Sequence, residues 1–223
     1  MKIVVPTLLL ILLFSCKSNS NKQESDTISI PEVVNSDTSL DMNYESPEAV
    51  DFLKENEKDS FLVEVNNEKL LITKAGKAFK GKKLAFDIKS ATPIRLLYVQ
   101  PFKRDYVVFY EYTDEKGVGS RAKLVSNKNK ILWETQVGGF NLASPLIIGN
   151  YAYLSTFGFI GKLNLAEGKF IWKFENLGEK YESFEEPKFY KDSSVLFLHK
   201  ASSTKLDSLL IDDKNGKMIR VSK

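Results

Sequence analysis

The sequence predicts an all-β domain built from repeated units, and three observations predict it. From residue 61 onward, runs such as FLVEV, KLLIT, IRLLYV, YVVFYEY, ILWET, YAYLST and KFIWKF are rich in β-branched and aromatic residues, and turns rich in Gly, Asn, Asp and Lys separate them. A Gly or Asn followed by Lys recurs at Gly76, Asn129, Gly168 and Gly216, at intervals of roughly 40–50 residues. A proline opens a strand in the same rhythm, in Thr92-Pro93, Ser144-Pro145 and Glu186-Pro187; proline within sheets is confined to strand starts and edges.

The elements follow in chain order. Met1 and Lys2 precede an apolar run of about a dozen residues, IVVPTLLLILLF, which is too short to span a bilayer as a helix and has the length of a signal-peptide core. It ends in Leu13-Phe14-Ser15-Cys16, which is similar to a bacterial lipobox. That resemblance implies a signal peptide over 1–15 and a lipid on Cys16 as the first mature residue. Cys16 is the one cysteine of the chain, so no disulfide competes for it; the other reading is an unmodified thiol inside an ordinary cleaved leader. Residues 16–45 are dominated by Ser, Asn, Asp, Lys and Glu and read as a flexible tether. At roughly 5–6 Å times the square root of its length, such a tether reaches about 30 Å. In SPEAVDFLKENEK, Ser46 can cap, Pro47 suits the first helical position and Glu48 favours the positive end of a helix. One short helix is therefore expected within 46–60, ahead of the β domain over 61–223.

The repeat shows best in an ungapped match. LNLAEGKFIW, from Leu163 to Trp172, aligns with LVSNKNKILW, from Leu124 to Trp133, with Lys162 and Lys123 preceding the two. IDDKNGKMIR and LITKAGKAFK repeat the scheme around Gly216 and Gly76, with Arg220 and Lys80 where the tryptophans would stand. A hairpin of this kind holds one residue at positive φ, which Gly adopts without strain and Asn tolerates best. A β-branched residue at Gly168 is thus expected to cost more than Gly at 129.

SPLIIGNYAYLSTFGFIGKLNLAEGKFIWKF, with Asn164 in the usual Asp place and Trp172 closing the motif, resembles the repeat of pyrroloquinoline-quinone-type β-propellers. Together with the lipobox, it is similar to bacterial lipoproteins of that fold, including the barrel-assembly propeller lipoproteins of the outer membrane. The resemblance implies a propeller-like array of about four antiparallel β-sheet repeats. Four repeats give either a compact ring or an open arc completed by another chain. The ring is favoured here, with FLVEV pairing LLIDD or MIRVS; a plain two-sheet sandwich is the competing architecture.

Chemistry is sparse. His199 is the one histidine, so there is no zinc cluster, and no Cys-His or Ser-His pair other than those using His199. Glu185-Glu186 and Asp212-Asp213 are neighbours in or near turns and read as solvated. GVGSR at 117–121 reads as a hairpin tip, because no helix follows it. No cofactor is expected; the cysteine pair of the quinone enzymes has no counterpart in this chain. With 32 basic against 29 acidic residues and a net charge of +3, the chain lacks a nucleic-acid footprint. Trp133 and Trp172 are expected to pack between repeats. Phe102, Phe140, Phe157, Phe159 and Tyr181, at hairpin tips, form the candidate binding surface. The expected function is a non-enzymatic binding or scaffolding module, lipid-anchored in the bacterial envelope and facing the periplasm, with a membrane and a protein as partners. A glycan-acting hydrolase or lyase using carboxylates at the mouth of the array, or a ligand sensor, are the alternatives.

Overall fold

A computed structural model describes residues 44–45, 48–51, 60–65, 67–177, 183–190, 194–200 and 206–222. Cys16, most of the 16–45 segment and Tyr181 lie outside these residues.

The described residues form strands joined by turns, with no helix among them, in four antiparallel sheets rather than the two of a sandwich. Sheet 1 is a meander of β3 (Ser60–Val65), β4 (Glu68–Thr73), β5 (Lys77–Lys80) and β6 (Lys83–Asp87). Sheet 2 contains β7 (Ile94–Phe102), β8 (Asp105–Asp114), β9 (Gly117–Val125) and β10 (Ile131–Gly138). Sheet 3 contains β11 (Leu146–Ile148), β12 (Tyr151–Thr156), β13 (Phe159–Asn164) and β14 (Lys169–Phe174). Sheet 4 contains β15 (Lys188–Tyr190), β16 (Ser194–Lys200), β17 (Leu206–Asp212) and β18 (Met218–Ser222). The result is a propeller-like array of four repeats. Pro93, Pro145 and Pro187 directly precede β7, β11 and β15, where a strand's first residue has no ladder donor to lose.

Two further strands come from the segment expected to be tether and helix. β1 (Tyr44–Glu45) pairs antiparallel with β11, and β2 (Glu48–Asp51) pairs with β7 through Glu48↔Val99 to Asp51↔Leu96. The first turn of the expected helix is therefore extended. Ser46 and Pro47 are local signals, whereas the first strand of sheet 2 offers a row of open backbone donors and acceptors, and pairing with it outweighs the local preference. The rest of the 46–60 segment up to β3 lies outside the described residues.

Packing joins the sheets in sequence order. One core cluster lies between sheets 1 and 2, around Leu70, Ile72, Phe86, Leu97, Val108 and Tyr110. A second lies between sheets 2 and 3, around Val107, Phe109, Leu124, Ala152, Leu154 and Leu163. A third lies between sheets 3 and 4, around Tyr153, Ile160, Trp172, Phe197, Leu209 and Ile211. Each fully buried Phe or Leu here contributes about 1.5–3 kcal/mol relative to exposure. Among the described residues no cluster joins sheet 4 to sheet 1, and β3 pairs with β4 alone. Among the described residues the expected pairing of FLVEV with LLIDD or MIRVS is not made. β17 is enclosed by β16 and β18, while β18 keeps one edge that no described strand occupies.

The turn residues explain how successive sheets lock. Gly76, Asn129, Gly168 and Gly216 have φ of 77°, 60°, 68° and 71°. Asn129, Gly168 and Gly216 lie between the third and fourth strands of their sheets; Gly76 lies one hairpin earlier, between β4 and β5. A Cβ built on Gly168 would come within 2.5 Å of Trp133, and one on Gly216 within 2.5 Å of Trp172. The indole of each sheet thus lies flat on the turn of the next. Trp133 Nε1 donates to Leu165 O at 2.9 Å, and Trp172 Nε1 donates to Asp213 O at 3.1 Å. Both acceptors stand three residues before the turn glycine. Sheet 1 has Phe86 at the equivalent place, the residue after the β6 bulge, instead of a tryptophan, and the facing turn in sheet 2 carries Asn129 instead of Gly. The amide of Asn129 uses the vacated space, its Oδ1 accepting from Asp87 N at 2.7 Å.

Candidate functional site

The hairpin-tip aromatics divide by burial. Phe102 and Phe159 are 8% and 3% exposed and belong to the core between sheets 2 and 3, so they are not surface residues. Both end or begin a strand whose inward row continues through them, and burial of a large ring outweighs their position beside a turn. Phe140, 40% exposed, is different. It stacks on half-buried Phe157 with ring centroids 4.6 Å apart and planes 13° apart. A main-chain bond from Phe157 N to Phe140 O, 2.7 Å long, ties the sheet 2–3 link to the β12–β13 turn and holds the pair together.

Phe157 also lines an open cleft of about 740 Å³ at the boundary of sheets 2 and 3. Gly138, Gly139, Gly158, Phe159, Glu175 and Asn176 complete the lining. The wall is formed at β10's end, the β12–β13 turn and the segment after β14, where Leu177 N donates to Gly158 O at 2.9 Å. Among the described lining residues Glu175 is the one carboxylate, and its partner is Lys173 at 2.7 Å. Ring faces, exposed main chain and a single ion-paired carboxylate suit binding of an extended or flat ligand.

Charged groups elsewhere are engaged in holding sheets together. Lys162 is 6% exposed, and its Nζ donates to Asp213 Oδ1 at 2.7 Å across the boundary of sheets 3 and 4. Tyr153 OH donates to the same oxygen at 2.7 Å. Burial, then the Asp213 hydrogen bond and charge, push the Tyr153 phenol well above its ordinary range. Asp213 is therefore a cross-sheet ligand and not the solvated turn residue expected, because Lys162 from β13 reaches it. Asp212 instead organises the turn, its Oδ1 accepting from Lys214 N at 2.9 Å and Asn215 N at 3.1 Å. Asn164 does the same for Ala166 N at 2.9 Å.

On sheet 2, Lys123 is 3% exposed; its Nζ donates to Ile88 O at 2.7 Å and lies 3.3 Å from Glu134. Arg121 lies 2.6 Å from the other oxygen of Glu134 and stacks 4.7 Å above Tyr112. Burial, then the charge of Glu134, raise the Tyr110 phenol beside them. Where β4 begins and β5 ends, the Lys80 hydrogen bond holds the Glu68 carboxyl below its usual range. Glu185 and Glu186 are exposed, and His199 stands opposite Asp207 in the β16–β17 ladder. Among the described residues no group of three or more His, Cys, Asp or Glu side chains could hold a metal ion.

The sequence singled out the cleft's Phe157 and the neighbouring Phe140 but missed Lys162 and Asp213. The signal for these was present: a lysine in the middle of an apolar strand, FIGKLNL, needs a buried counter-charge. Among known proteins, no family model matches the chain and no curated protein matches its sequence.

Proposed function

We propose that the chain is a binding or scaffolding module without catalytic activity, held in the bacterial envelope by a lipid on Cys16 and facing the periplasm. In this reading residues 1–15 are removed, the following polar segment spans the distance to the membrane, and the four-sheet array presents its cleft to a protein partner. The pyrroloquinoline-quinone-type propeller lipoproteins are the family whose design it follows. The observation that carries the reading is the Phe140–Phe157 stack beside the glycine-lined cleft. Phe140 is 40% exposed although it carries a large ring, and exposed aromatic anchors beside a cleft are what partner binding uses.

The test is affinity capture from detergent-solubilised membranes with wild type, Phe140→Ser and an exposed control, Lys128→Ser. One partner should be recovered with wild type and the control, and at least about tenfold less with Phe140→Ser, the effect of losing one aromatic anchor. Recovery of nothing above background, or equal recovery by all three, would overturn the reading.

A further inference from the structure

Sheet 1 carries an apolar row on the face turned away from sheet 2. The register sets Leu62 opposite Leu71, Leu71 opposite Phe79 and Phe79 opposite Leu84, so one ladder crosses all four strands. These residues alternate with Val63, Leu70, Ile72 and Ala78, which face the core between sheets 1 and 2. Leu62, Leu71 and Leu84 are 65%, 39% and 36% exposed. Neighbouring apolar side chains on one sheet face behave as a patch and not as scattered surface residues.

The other end of the array matches it. On sheet 4, Val195, Phe197, Leu209 and Ile211 face sheet 3, which leaves Leu196, Leu198 and Leu210 on the opposite face. Leu196 stands directly opposite Leu210 in the ladder. Stacked repeats need terminal units with polar outer faces to stay apart; here sheet 1 exposes an apolar row, and sheet 4 carries half-buried Leu196, Leu198 and Leu210 between ladder positions Lys188 and Arg220.

We propose that the fourth sheet of a second copy of this chain packs on the first sheet, head to tail. The three boundaries inside the chain set the precedent: each places the later sheet of the pair against the apolar outer face of the earlier one. A boundary between copies repeats that step, with sheet 4 as the earlier sheet and sheet 1 of the next copy as the later. Association through strand edges is disfavoured in the same structure. The outer strands β10, β14 and β18 each carry a bulge at equivalent places, at Leu132, Ile171 and Ile219, two residues after exposed Lys130, Lys169 and Lys217. Bulges and lysines block edge-to-edge pairing, so the faces are the route left. Arg220 stands where Trp133 and Trp172 lock the inner boundaries, so this junction has no indole latch and is reversible. An interface of this kind, with different faces meeting, closes into a ring or continues as a chain of copies.

The experiment is analytical ultracentrifugation of the full chain in density-matched detergent, at micromolar concentration. Wild type should sediment as two or more copies of the 25.3 kDa chain. Leu71→Asp and Leu210→Asp should each be monomeric, with association weakened at least tenfold, while thermal unfolding checks that each is folded. Leu62→Asp, at the most exposed place in the row, serves as a second variant of sheet 1. Mixed together, the Leu71→Asp and Leu210→Asp chains should form a two-chain species, since one keeps an intact sheet 4 and the other an intact sheet 1. Monomeric wild type would overturn the proposal and point to a segment of the same chain as the cover. Loss of association with Leu71→Asp alone, with no recovery on mixing, would overturn it in favour of sheet 1 pairing with itself. Continued association of all variants would place the interface elsewhere.

Discussion

Replacing Gly168 by alanine tests the indole latch with a single methyl group. Two costs arise there. Alanine at φ +68° takes on the left-handed conformation, at about 1–2 kcal/mol. The new Cβ also lies 2.5 Å from Cδ2 and 2.6 Å from Cγ of Trp133, closer than carbon atoms approach. The indole must lift, and its 2.9 Å bond to Leu165 O goes with it, at about 1 kcal/mol, with some packing lost as well. Gly81 separates the two costs, for it has φ +59° and nothing within 4 Å of a built Cβ. Gly81→Ala should therefore lose about 1 kcal/mol and Gly168→Ala about 3 kcal/mol. At about 2–4 °C per kcal/mol for a domain of this size, the two melting temperatures should differ by roughly 4–8 °C. Thermal unfolding followed by circular dichroism reads the difference. The double variant Trp133→Leu/Gly168→Ala should lose at least about 1 kcal/mol less than the sum of the single changes, since the Trp133–Leu165 hydrogen bond is counted twice in that sum and the clash with the indole is absent from the double variant. Equal melting temperatures for Gly81→Ala and Gly168→Ala would refute the latch.

Two other outcomes follow from the same residues and the proposed anchor. Cys16→Ala should abolish lipid labelling and move the protein out of the detergent phase; partitioning and processing like wild type would remove the lipid anchor from the proposed function. Raising pH should weaken the fold above about pH 10, where tyrosines of the unfolded chain ionise while Tyr110 and Tyr153 stay protonated. The unfolded state then binds fewer protons than the folded one, so stability falls as pH rises, by about 1.4 kcal/mol per pH unit for each phenol. Urea unfolding at several pH values should show a shallower alkaline slope for Tyr153→Phe than for wild type; an unchanged slope would refute the linkage.

The parts of the fold that sequence revealed are those governed by backbone constraint. Positive φ at Asn129, Gly168 and Gly216, and prolines before β7, β11 and β15, leave a mark in residue type, so the phase of three sheets was legible. Side-chain direction was not. The ungapped match sets Leu163 on Leu124, but the ladders set Lys162 and Leu124 opposite the two tryptophans, Trp172 and Trp133. The turn of sheet 2 is one residue shorter between equivalent pairs, Val125↔Ile131 against Leu163↔Phe170. A slip of one residue turns every side chain of a strand to the other face. Lys123 and Lys162 look like counterparts, yet one reaches back to sheet 1 and the other forward to sheet 4. The aromatic surface was half legible for a related reason. Phe102, Phe140, Phe157 and Phe159 are alike as letters beside turns, and only the packing of sheet 3 on sheet 2 decides which rings the core takes.

The strands before sheet 1 also govern how the domain bears load. Traction on the chain ahead of Tyr44 meets β1 first, held on β11 by two residue pairs, Tyr44↔Ile148 and Glu45↔Ile147. Next comes β2, held on β7 by four pairs, and then β3, held on β4 by six. Resistance thus rises step by step along the chain. A weak tug releases β1 and lengthens the leash while the three cores stay intact, and the strand can re-seat when tension drops. β1 and β2 are therefore the first pairings that a pull on the N-terminal segment would load, ahead of the six-pair ladder of β3 and the sheets that carry the cleft.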